Sequence, residues 1–315
     1  MTVDRLDRAV GAVVGSAVGD ALGAPFEFGP PGQFSARFPE GHAGGDEMCG
    51  GGSLGWAPGE FTDDTQMAIA LATSLVERGG LDEADVFDRF RRWAAADPPD
   101  IGNQTRAVMG SGRPWDVAAA EHFARSGHAA GNGSLMRTTP AAVFFARHGR
   151  DATMDAARRI SALTHGDPSA GEGCAVFHEL VRAALDGEDP LAAIPEALDH
   201  VTAEHRERWA TVLDPAWTPA DATEGNGAVW PTLGQAAWAL RGATSLPEVL
   251  RRVIDLGGDT DTVSAVAGGL AGAVFGAEGI PERWTAVLHG RVPGLGDHRW
   301  TGQDLRNLAM RLAGG

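Results

Sequence analysis

Two stretches far apart in the chain each place a hydroxyl and two aspartates directly before a long apolar segment. They are residues 59–66, Gly-Glu-Phe-Thr-Asp-Asp-Thr-Gln, and residues 257–262, Gly-Gly-Asp-Thr-Asp-Thr. Together they offer four aspartate carboxylates and at least two hydroxyls, which are hard oxygen ligands. A fold that brings the two stretches together must supply positive charge from elsewhere, because neither stretch contains a Lys or an Arg.

Taken singly, each stretch has a simpler explanation as a helix start. Ser, Thr and Asp favour helix N-termini because their oxygens accept hydrogen bonds from the free N–H groups of the first turn. A cap of this kind accounts for Thr62 and for Thr262, but it does not explain the two carboxylates at each helix end. Two divalent cations would balance four carboxylates, and oxygen ligands select Mg²⁺, Mn²⁺ or Ca²⁺ over zinc. We therefore predict a dinuclear Mg²⁺ or Mn²⁺ site if the two stretches converge.

Apolar residues recur at helical spacing along most of the chain. This pattern predicts helices over residues 3–24, 65–78, 81–96, 106–110, 141–148, 154–163, 171–185, 191–203, 233–241, 246–255, 263–275 and 304–312. The first of these is rich in Gly and Ala, which permit close packing, so we expect it to be buried. Alternating β-branched runs that would form a sheet are absent from the sequence. The prediction is an all-α fold in a single domain, residues 1–315.

A long segment between the first two predicted helices, residues 29–58, is rich in Gly and Pro and lacks helical periodicity. Loops of this length in compact domains are usually functional lids or disordered segments. Because this one runs directly into residues 59–66, we predict that it is a lid over the acidic site.

Composition and charge restrict the classes of partner. Of the 315 residues, 43% are hydrophobic and 22% are charged, which suits a soluble globular protein with a sizeable core. A net charge of -16 argues against a general nucleic-acid or anionic-membrane surface. The N-terminus lacks the apolar region of a secretory signal, no segment reads as a charge-free membrane span, and Cys49 and Cys174 form no CxxC pair. We expect a cytoplasmic monomer that binds neither nucleic acid nor membrane.

Five short motifs occur in an order that is similar to a known family. They are Gly19-Asp20-Ala21-Leu22-Gly23 with Glu27, Phe61-Thr62-Asp63-Asp64-Thr65, Gly131-Asn132-Gly133-Ser134-Leu135-Met136-Arg137, Thr164-His165 and Gly257-Gly258-Asp259-Thr260-Asp261-Thr262. Over roughly residues 8 to 276 the chain resembles the ADP-ribosylglycohydrolase family, typified by the dinitrogenase reductase-activating glycohydrolase and the human ADP-ribosylhydrolases. The resemblance implies an all-α orthogonal helical bundle with a dinuclear metal site in a cleft.

The resemblance also implies roles for individual residues around that site. Two Mg²⁺ or Mn²⁺ ions would be held by Thr62, Asp63, Asp64, Asp259, Asp261 and Thr262. Glu27 matches a glutamate that some members use near the metals as acid/base or to direct water. Asp100 resembles the aspartate that arginine-specific bacterial members use close to the scissile ribose. Without the family, Glu27 is an exposed loop carboxylate and Asp100 is a turn or cap residue after two prolines.

For the substrate, the resemblance implies a cradle in the Gly-rich loop. Asn132, Gly133 and Ser134 would bind the phosphates or ribose of ADP-ribose, because glycines let N–H groups approach an anion. Met136 belongs to the same motif, and His165 matches a family histidine that contacts the ADP-ribose moiety. Tyrosine is absent from the chain. Any stacking on the adenine must therefore come from Phe, Trp, His or Arg.

The predicted activity is hydrolysis of the glycosidic bond at C1″ that joins ADP-ribose to a modified protein side chain. Arginine is the favoured acceptor, since the Asp100 motif resembles arginine-specific enzymes, and serine-linked or small ADP-ribosyl substrates are alternatives. A non-catalytic ADP-ribose-binding protein and a two-metal phosphohydrolase are the competing hypotheses. Product analysis separates them, because glycosidic cleavage leaves ADP-ribose intact.

Overall fold

The computed structural model describes residues 3–39 and 46–314, and most of these residues are helical, as predicted. The helices are α1 (Arg5–Gly23), α2 (Gln33–Arg37), α3 (Asp63–Arg78), α4 (Glu83–Ala95), α5 (Asn103–Met109), α6 (Ala118–Ser126), α7 (Thr139–Phe145), α8 (Arg150–Ala162), α9 (Pro168–Leu185), α10 (Ile194–Asp199), α11 (Ala203–Leu213), α12 (Val229–Leu240), α13 (Leu246–Ile254), α14 (Thr260–Phe275), α15 (Glu282–Thr285) and α16 (Gly302–Gly314). Single 3₁₀ turns follow α1, α7 and α14, and another, Pro219–Asp221, precedes α12.

The described residues also contain one small sheet that the sequence did not predict. Strands β1 (His289–Arg291) and β2 (Arg299–Thr301) pair antiparallel, with Gly290 opposite Trp300. Each strand has only three residues, which is too short for an alternating pattern to be recognised. The hairpin leads directly into α16 and leaves the helical class unchanged.

Several helical predictions differ from the structure. The helix predicted over residues 191–203 is shorter, because α10 ends at Asp199 and the extended backbone of Thr202 (φ −56°, ψ 143°) separates it from α11. Helices α11 and α15 were not predicted. Helix α6 was missed since it buries only Ala118 and Ala119 and so lacks large apolar residues at helical spacing. Helix α2 lies inside the predicted loop, and its five residues are too few to show a period.

Helices α1 and α14 form the centre of the core and pack antiparallel through glycines. A β-carbon on Gly272 would lie 2.0 Å from the carbonyl oxygen of Gly11, and one on Gly268 would lie 2.2 Å from that of Gly15. One on Gly19 would lie 2.0 Å from the carbonyl oxygen of Ser264. The two backbones are therefore in direct contact, which only glycine permits. This confirms that the small-residue segment is a buried helix.

This packing places the C-terminal end of α1 against the N-terminal end of α14. Thr260, the first residue of α14, donates its hydroxyl proton to the carbonyl oxygen of Gly23 at 2.8 Å. The residues that follow α1 are thereby brought beside the second acidic stretch, although more than 230 residues separate them along the chain.

The segment predicted as a lid, residues 29–58, is anchored to the fold at several points. Ser35 donates its backbone N–H to Asp255 at 2.9 Å, and Arg251 Nη1 donates to the carbonyl oxygen of Phe38 at 2.6 Å. Met48 and Trp56 are buried. Residues 40–45 lie outside the described residues. No residue of 29–39 or 46–58 lies on the wall of the acidic cavity described below, and the lid role stays a prediction.

One helical segment, Arg5–Phe26, is long and apolar enough to cross a membrane by length and composition, although it is not free of charge because it contains Asp20. However, 94% of its apolar window is buried inside the fold. That burial accounts for its composition, because this segment contains the core helix α1.

Candidate active site

The N-terminus of α3 is held by a buried carboxylate from α1. Asp20 is fully buried and accepts hydrogen bonds from the backbone N–H groups of Thr62 and Thr65, each at 3.1 Å. It also accepts from the hydroxyl of Thr65 at 2.5 Å. Thr62 is the N-cap of α3, and its hydroxyl oxygen accepts from the backbone N–H of Asp64. Asp20 and Thr62 together fix where Asp63 and Asp64 begin the helix.

The two acidic stretches converge, as the metal-site hypothesis requires. The hydroxyl of Thr262 in the first turn of α14 lies 3.4 Å from Asp64 Oδ2 at the start of α3. Asp259 is the N-cap residue of α14, and Asp261 accepts from the backbone N–H of Thr262 at 2.9 Å. The structure therefore brings all six predicted metal-site residues to one place.

The carboxylates at this place are deprived of water and of counter-charge. Asp63, Asp64 and Asp261 are almost completely buried, and their pKa values are raised well above the ordinary range, first by burial and then by neighbouring carboxylates. Burial raises the pKa of Asp20 to about 6. Burial, followed by repulsion from Asp100, raises the pKa of Glu27 to about 8. Within residues 3–39 and 46–314, none of these acids forms an ion pair with an arginine.

This donor set fits divalent cations. Asp64 Oδ1 and Glu27 Oε2 are buried and have no hydrogen-bond partner among the described residues. Glu27, Asp259 and Asp261 each offer a carboxylate oxygen, and the three oxygens lie within 4.8 Å of one another. Hard cations such as Mg²⁺ and Mn²⁺ bind carboxylate oxygens and supply the missing positive charge. Glu27 is therefore placed where it can share a cation with the second stretch as well as act on protons.

A cavity of about 400 Å³ opens onto the acidic cluster. Glu27 and Asp100, the two predicted catalytic residues, both lie on its wall, and the charge of Asp100 contributes to the raised pKa of Glu27. Of the predicted metal-site residues, the wall includes Asp63, Asp259, Asp261 and Thr262. Thr62 and Asp64 are not on the wall.

The Gly-rich loop contributes to the cavity, but its polar side chains are already in use. Asn132 Nδ2 donates to Asp259 Oδ2 at 2.8 Å and to the carbonyl oxygen of Asn226 at 2.9 Å, so the amide orients an acid of the cluster. Gly133 and Met136 lie on the wall. Ser134 is fully buried and does not lie on the wall, and its hydroxyl oxygen accepts from Ser161. A side-chain contact from Ser134 to a ligand is thus not provided by this arrangement.

Two buried neighbours determine how His165 is protonated. Arg137 Nη2 donates to Thr164 Oγ1 at 2.7 Å, and the same oxygen lies 2.7 Å from His165 Nδ1. A guanidinium can only donate. The Thr164 oxygen therefore accepts from Arg137; its own proton can be donated to Nδ1, or its second lone pair can accept from an Nδ1–H group. Burial, followed by the charge of Arg137, lowers the pKa of His165 well below its ordinary value. The ring is neutral, and it carries its proton on Nε2 in the arrangement in which Thr164 donates to Nδ1.

That Nε2 edge of His165 faces the Gly-rich loop and the cavity. A β-carbon on Gly133 would lie 3.3 Å from Nε2, and one on Gly131 would lie 3.5 Å from it. An added carbon at Gly133 would crowd this edge, whereas one at Gly131 would make an ordinary contact. His165 is on the cavity wall, so its Nε2 edge is accessible to an oxygen of a bound molecule.

Several residues of the site were missed from the sequence. Asn226 is one, because its Oδ1 accepts from the backbone N–H of Asp259 at 3.0 Å. It belongs to a second Gly-Asn-Gly tripeptide, residues 225–227, which pairs with the first through the bridge Gly131↔Ala228. Repetition of this tripeptide was an available signal. For Asp20 the signal was a lone acid within an otherwise apolar helix. No sequence signal marked Thr164 or Arg137 beyond their motifs.

Comparison with known proteins gives one consistent result. The family model described as ADP-ribosylglycohydrolase matches residues 1–315. The chain is 32% identical over 286 residues to the ADP-ribosyl-(dinitrogen reductase) glycohydrolase of Rhodospirillum rubrum, covering 91% of this chain and 92% of that protein. It is 31% identical over 286 residues to the ADP-ribosylarginine hydrolase Tri1 of Pseudomonas putida (strain GB-1), covering 89% and 73%. A solved structure of an ADP-ribosylglycohydrolase-related protein complex matches with a TM-score of 0.76 and 35% identity, covering 98% of each chain.

Proposed function

This chain belongs to the ADP-ribosylglycohydrolase family, whose members hydrolyse glycosidic bonds to ADP-ribose, and we propose that it releases ADP-ribose from ADP-ribosylated arginine in a metal-dependent reaction. The observation that carries the proposal is the convergence of the two acidic stretches, joined by Thr262 and Asp64, on a cavity that also contains Glu27 and Asp100.

The metal dependence is supported by the chemistry of the cluster. Asp63, Asp64, Asp259, Asp261, Thr62 and Thr262 would hold two divalent cations. Cations held there supply Lewis-acid polarisation of substrate oxygens and lower the pKa of water. Asp20 and Asn132 keep the acids in place, since each hydrogen bonds to one of the two helix starts. The buried oxygen of Asp64 that has no hydrogen-bond partner among the described residues also supports a bound cation.

The chain's own residues would handle the protons of the reaction. The C1″–N bond breaks, a water oxygen bonds to C1″, and a proton passes to the leaving nitrogen of arginine. Glu27 and Asp100 are the carboxyl groups on the cavity wall that lie outside the six proposed metal ligands. His165 would donate from Nε2 to an oxygen of the ADP-ribose moiety, which fixes the nucleotide without adding charge.

Arginine is the favoured acceptor for two reasons. One relative with 31% identity is an ADP-ribosylarginine hydrolase. In addition, a cationic guanidinium suits the acidic wall formed by Glu27 and Asp100, whereas a neutral serine oxygen gains less from those charges.

The first prediction tests the activity directly. Peptides of one sequence that carry ADP-ribose on arginine or on serine are incubated with the protein in Mg²⁺, in Mn²⁺ and in chelator, and products are identified by mass spectrometry. We expect intact ADP-ribose from the arginine-linked peptide, with loss of release in chelator. Glu27→Gln should lower kcat by about 10²- to 10⁴-fold, the usual contribution of a general acid or base, while the exposed Glu188→Gln serves as the matched control.

Each alternative has its own result in that assay. Production of AMP or phosphate would indicate phosphoryl chemistry. Calorimetric binding of ADP-ribose with no cleavage of either peptide would indicate a non-catalytic binding protein. Faster release from serine than from arginine would refute the proposed acceptor.

A further inference from the structure

Phe28 has an unusual conformation for an apolar residue. Its side chain is 74% exposed, more than any other large hydrophobic side chain among the described residues. Its backbone has a φ of 61°, a region that L-residues rarely adopt and that costs of order 1–3 kcal/mol. A hydrogen bond of 2.7 Å from its N–H to the carbonyl oxygen of Gly258 and the bridge Gly29↔Gly258 fix this conformation. The fold therefore holds an aromatic ring in solvent at a cost in stability.

The ring lies on the wall of the active-site cavity, directly after Glu27 in the chain. Gly258, to which its backbone is bonded, precedes Asp259 of the acidic cluster. Phe28 and His165 are the aromatic side chains on this wall within the described part of the chain. Of the two, Phe28 is the one that follows the proposed catalytic residue Glu27 in the chain.

We propose that the Phe28 ring is the face against which the guanidinium of an ADP-ribosylated arginine packs, so that Phe28 helps to select arginine as the acceptor. This inference rests on the proposed function. A cation over an aromatic face is attracted by the negative face of the ring, more strongly when the pair is desolvated. Asp100 and, once deprotonated, Glu27 add attraction for the same cation.

Adenine is the competing occupant of this face. Hydrogen-bond donors suited to the diphosphate of ADP-ribose lie on the wall at the Gly131 and Gly133 loop and at His165. The proposal places the nucleotide half at these donors and the leaving group at Phe28, and binding of free ADP-ribose to Phe28 variants separates the two occupants.

The second prediction compares Phe28→Leu with Phe28→Trp. Leucine keeps an apolar side chain without a π face, tryptophan keeps the face, and both carry the same backbone strain because neither is glycine. We expect Phe28→Leu to raise KM for the arginine-linked peptide by about tenfold, which corresponds to about 1.4 kcal/mol, and to change kcat less. Phe28→Trp should keep KM within about threefold of the unmodified protein. The Kd of free ADP-ribose, measured by calorimetry, should be unchanged in both variants.

Two results would overturn the inference while leaving the proposed function intact. One is an unchanged KM in Phe28→Leu. The other is an equal weakening of free ADP-ribose binding, which would assign the ring to the nucleotide. Failure of the unmodified protein to release ADP-ribose from arginine would instead refute the proposed function, and the inference with it. Thermal unfolding of both variants checks that they fold.

Discussion

Among single side chains, Thr164 connects a buried arginine to a histidine on the cavity wall. Its hydroxyl lies between Arg137 and His165, so it satisfies a buried cation and sets the protonated nitrogen of a ring on the cavity wall. Arg137 is itself fully buried and stacks over Phe90, with its guanidinium carbon 4.5 Å from the ring centroid. A buried cation is costly without an opposite charge nearby, and Arg137 lies close enough to Asp63 for their charges to interact.

The third prediction removes that hydroxyl. Thr164→Val keeps the shape of the side chain but cannot donate to Nδ1, whereas Thr164→Ser keeps the donor. We expect Thr164→Val to weaken ADP-ribose binding by about threefold to tenfold, the value of one hydrogen bond, and Thr164→Ser to restore most of it. Nitrogen-15 NMR of the ring should show a neutral His165 protonated at Nε2 in the unmodified protein and a mixture of tautomers in Thr164→Val. A ring protonated at Nδ1 in the unmodified protein would contradict this arrangement.

Among the helices, the pair α1 and α14 places the site. Their backbones touch through glycines, which fixes their relative height along the shared axis to within a fraction of an ångström. That height brings Asp20 under the start of α3 and Glu27 beside Asp259. Any side chain at the contact would separate the helices and spread the carboxylates.

The fourth prediction tests this contact with Gly268→Ala. The added β-carbon would meet the carbonyl oxygen of Gly15 at 2.2 Å, and a backbone atom cannot move aside as a flexible side chain does. We expect a loss of about 3 kcal/mol in the free energy of unfolding, at the upper end for overpacking, together with weaker Mn²⁺ binding. Gly80→Ala is the matched control, because nothing lies within 4 Å of its added carbon and its φ is not positive. Equal stability of the two variants in urea unfolding would refute the account.

For the whole molecule, the net charge of -16 includes a cluster of acids that the fold cannot neutralise on its own. Buried acids with raised pKa values bind more protons in the folded state than in the unfolded state. Stability from this source is therefore complete below about pH 4, the ordinary carboxyl pKa, and is lost as pH rises through the folded-state values. The printed values define that window, since Asp20 has a pKa of about 6 and Glu27 a pKa of about 8.

The fifth prediction follows from this balance and needs no substrate. In chelator, the thermal midpoint should fall as pH rises from about 5 to about 8. Mn²⁺ should raise it, and by more at the higher pH, because ligands must be deprotonated to bind a cation. Asp261→Asn removes one buried carboxylate and should reduce both the fall and the Mn²⁺ effect. A Mn²⁺ effect of the same size at both pH values would contradict this assignment of the acids.

The sequence alone determined the helical class, most helix positions and the two acidic stretches, because helical periodicity and motif spacing are local properties of the chain. The resemblance to the family, carried by residues such as Asp63 and Asp259, is borne out by the comparisons. Short elements were missed for the same reason, as α2, α15 and the β hairpin have too few residues to show a period. The placement of a lid at residues 29–58 and the cytoplasmic location stay predictions.

Only the tertiary structure showed which contacts each side chain of the site makes. In the structure Thr262 lies beside Asp64, Asn132 donates a hydrogen bond to Asp259, and Ser134 is buried behind the cavity wall. The fold also places the Thr164 hydroxyl beside His165 Nδ1 and the ring of Phe28 in solvent. Each of these depends on a hydrogen-bond partner distant in sequence or on a backbone angle fixed by such a partner, and local patterns carry no information about either.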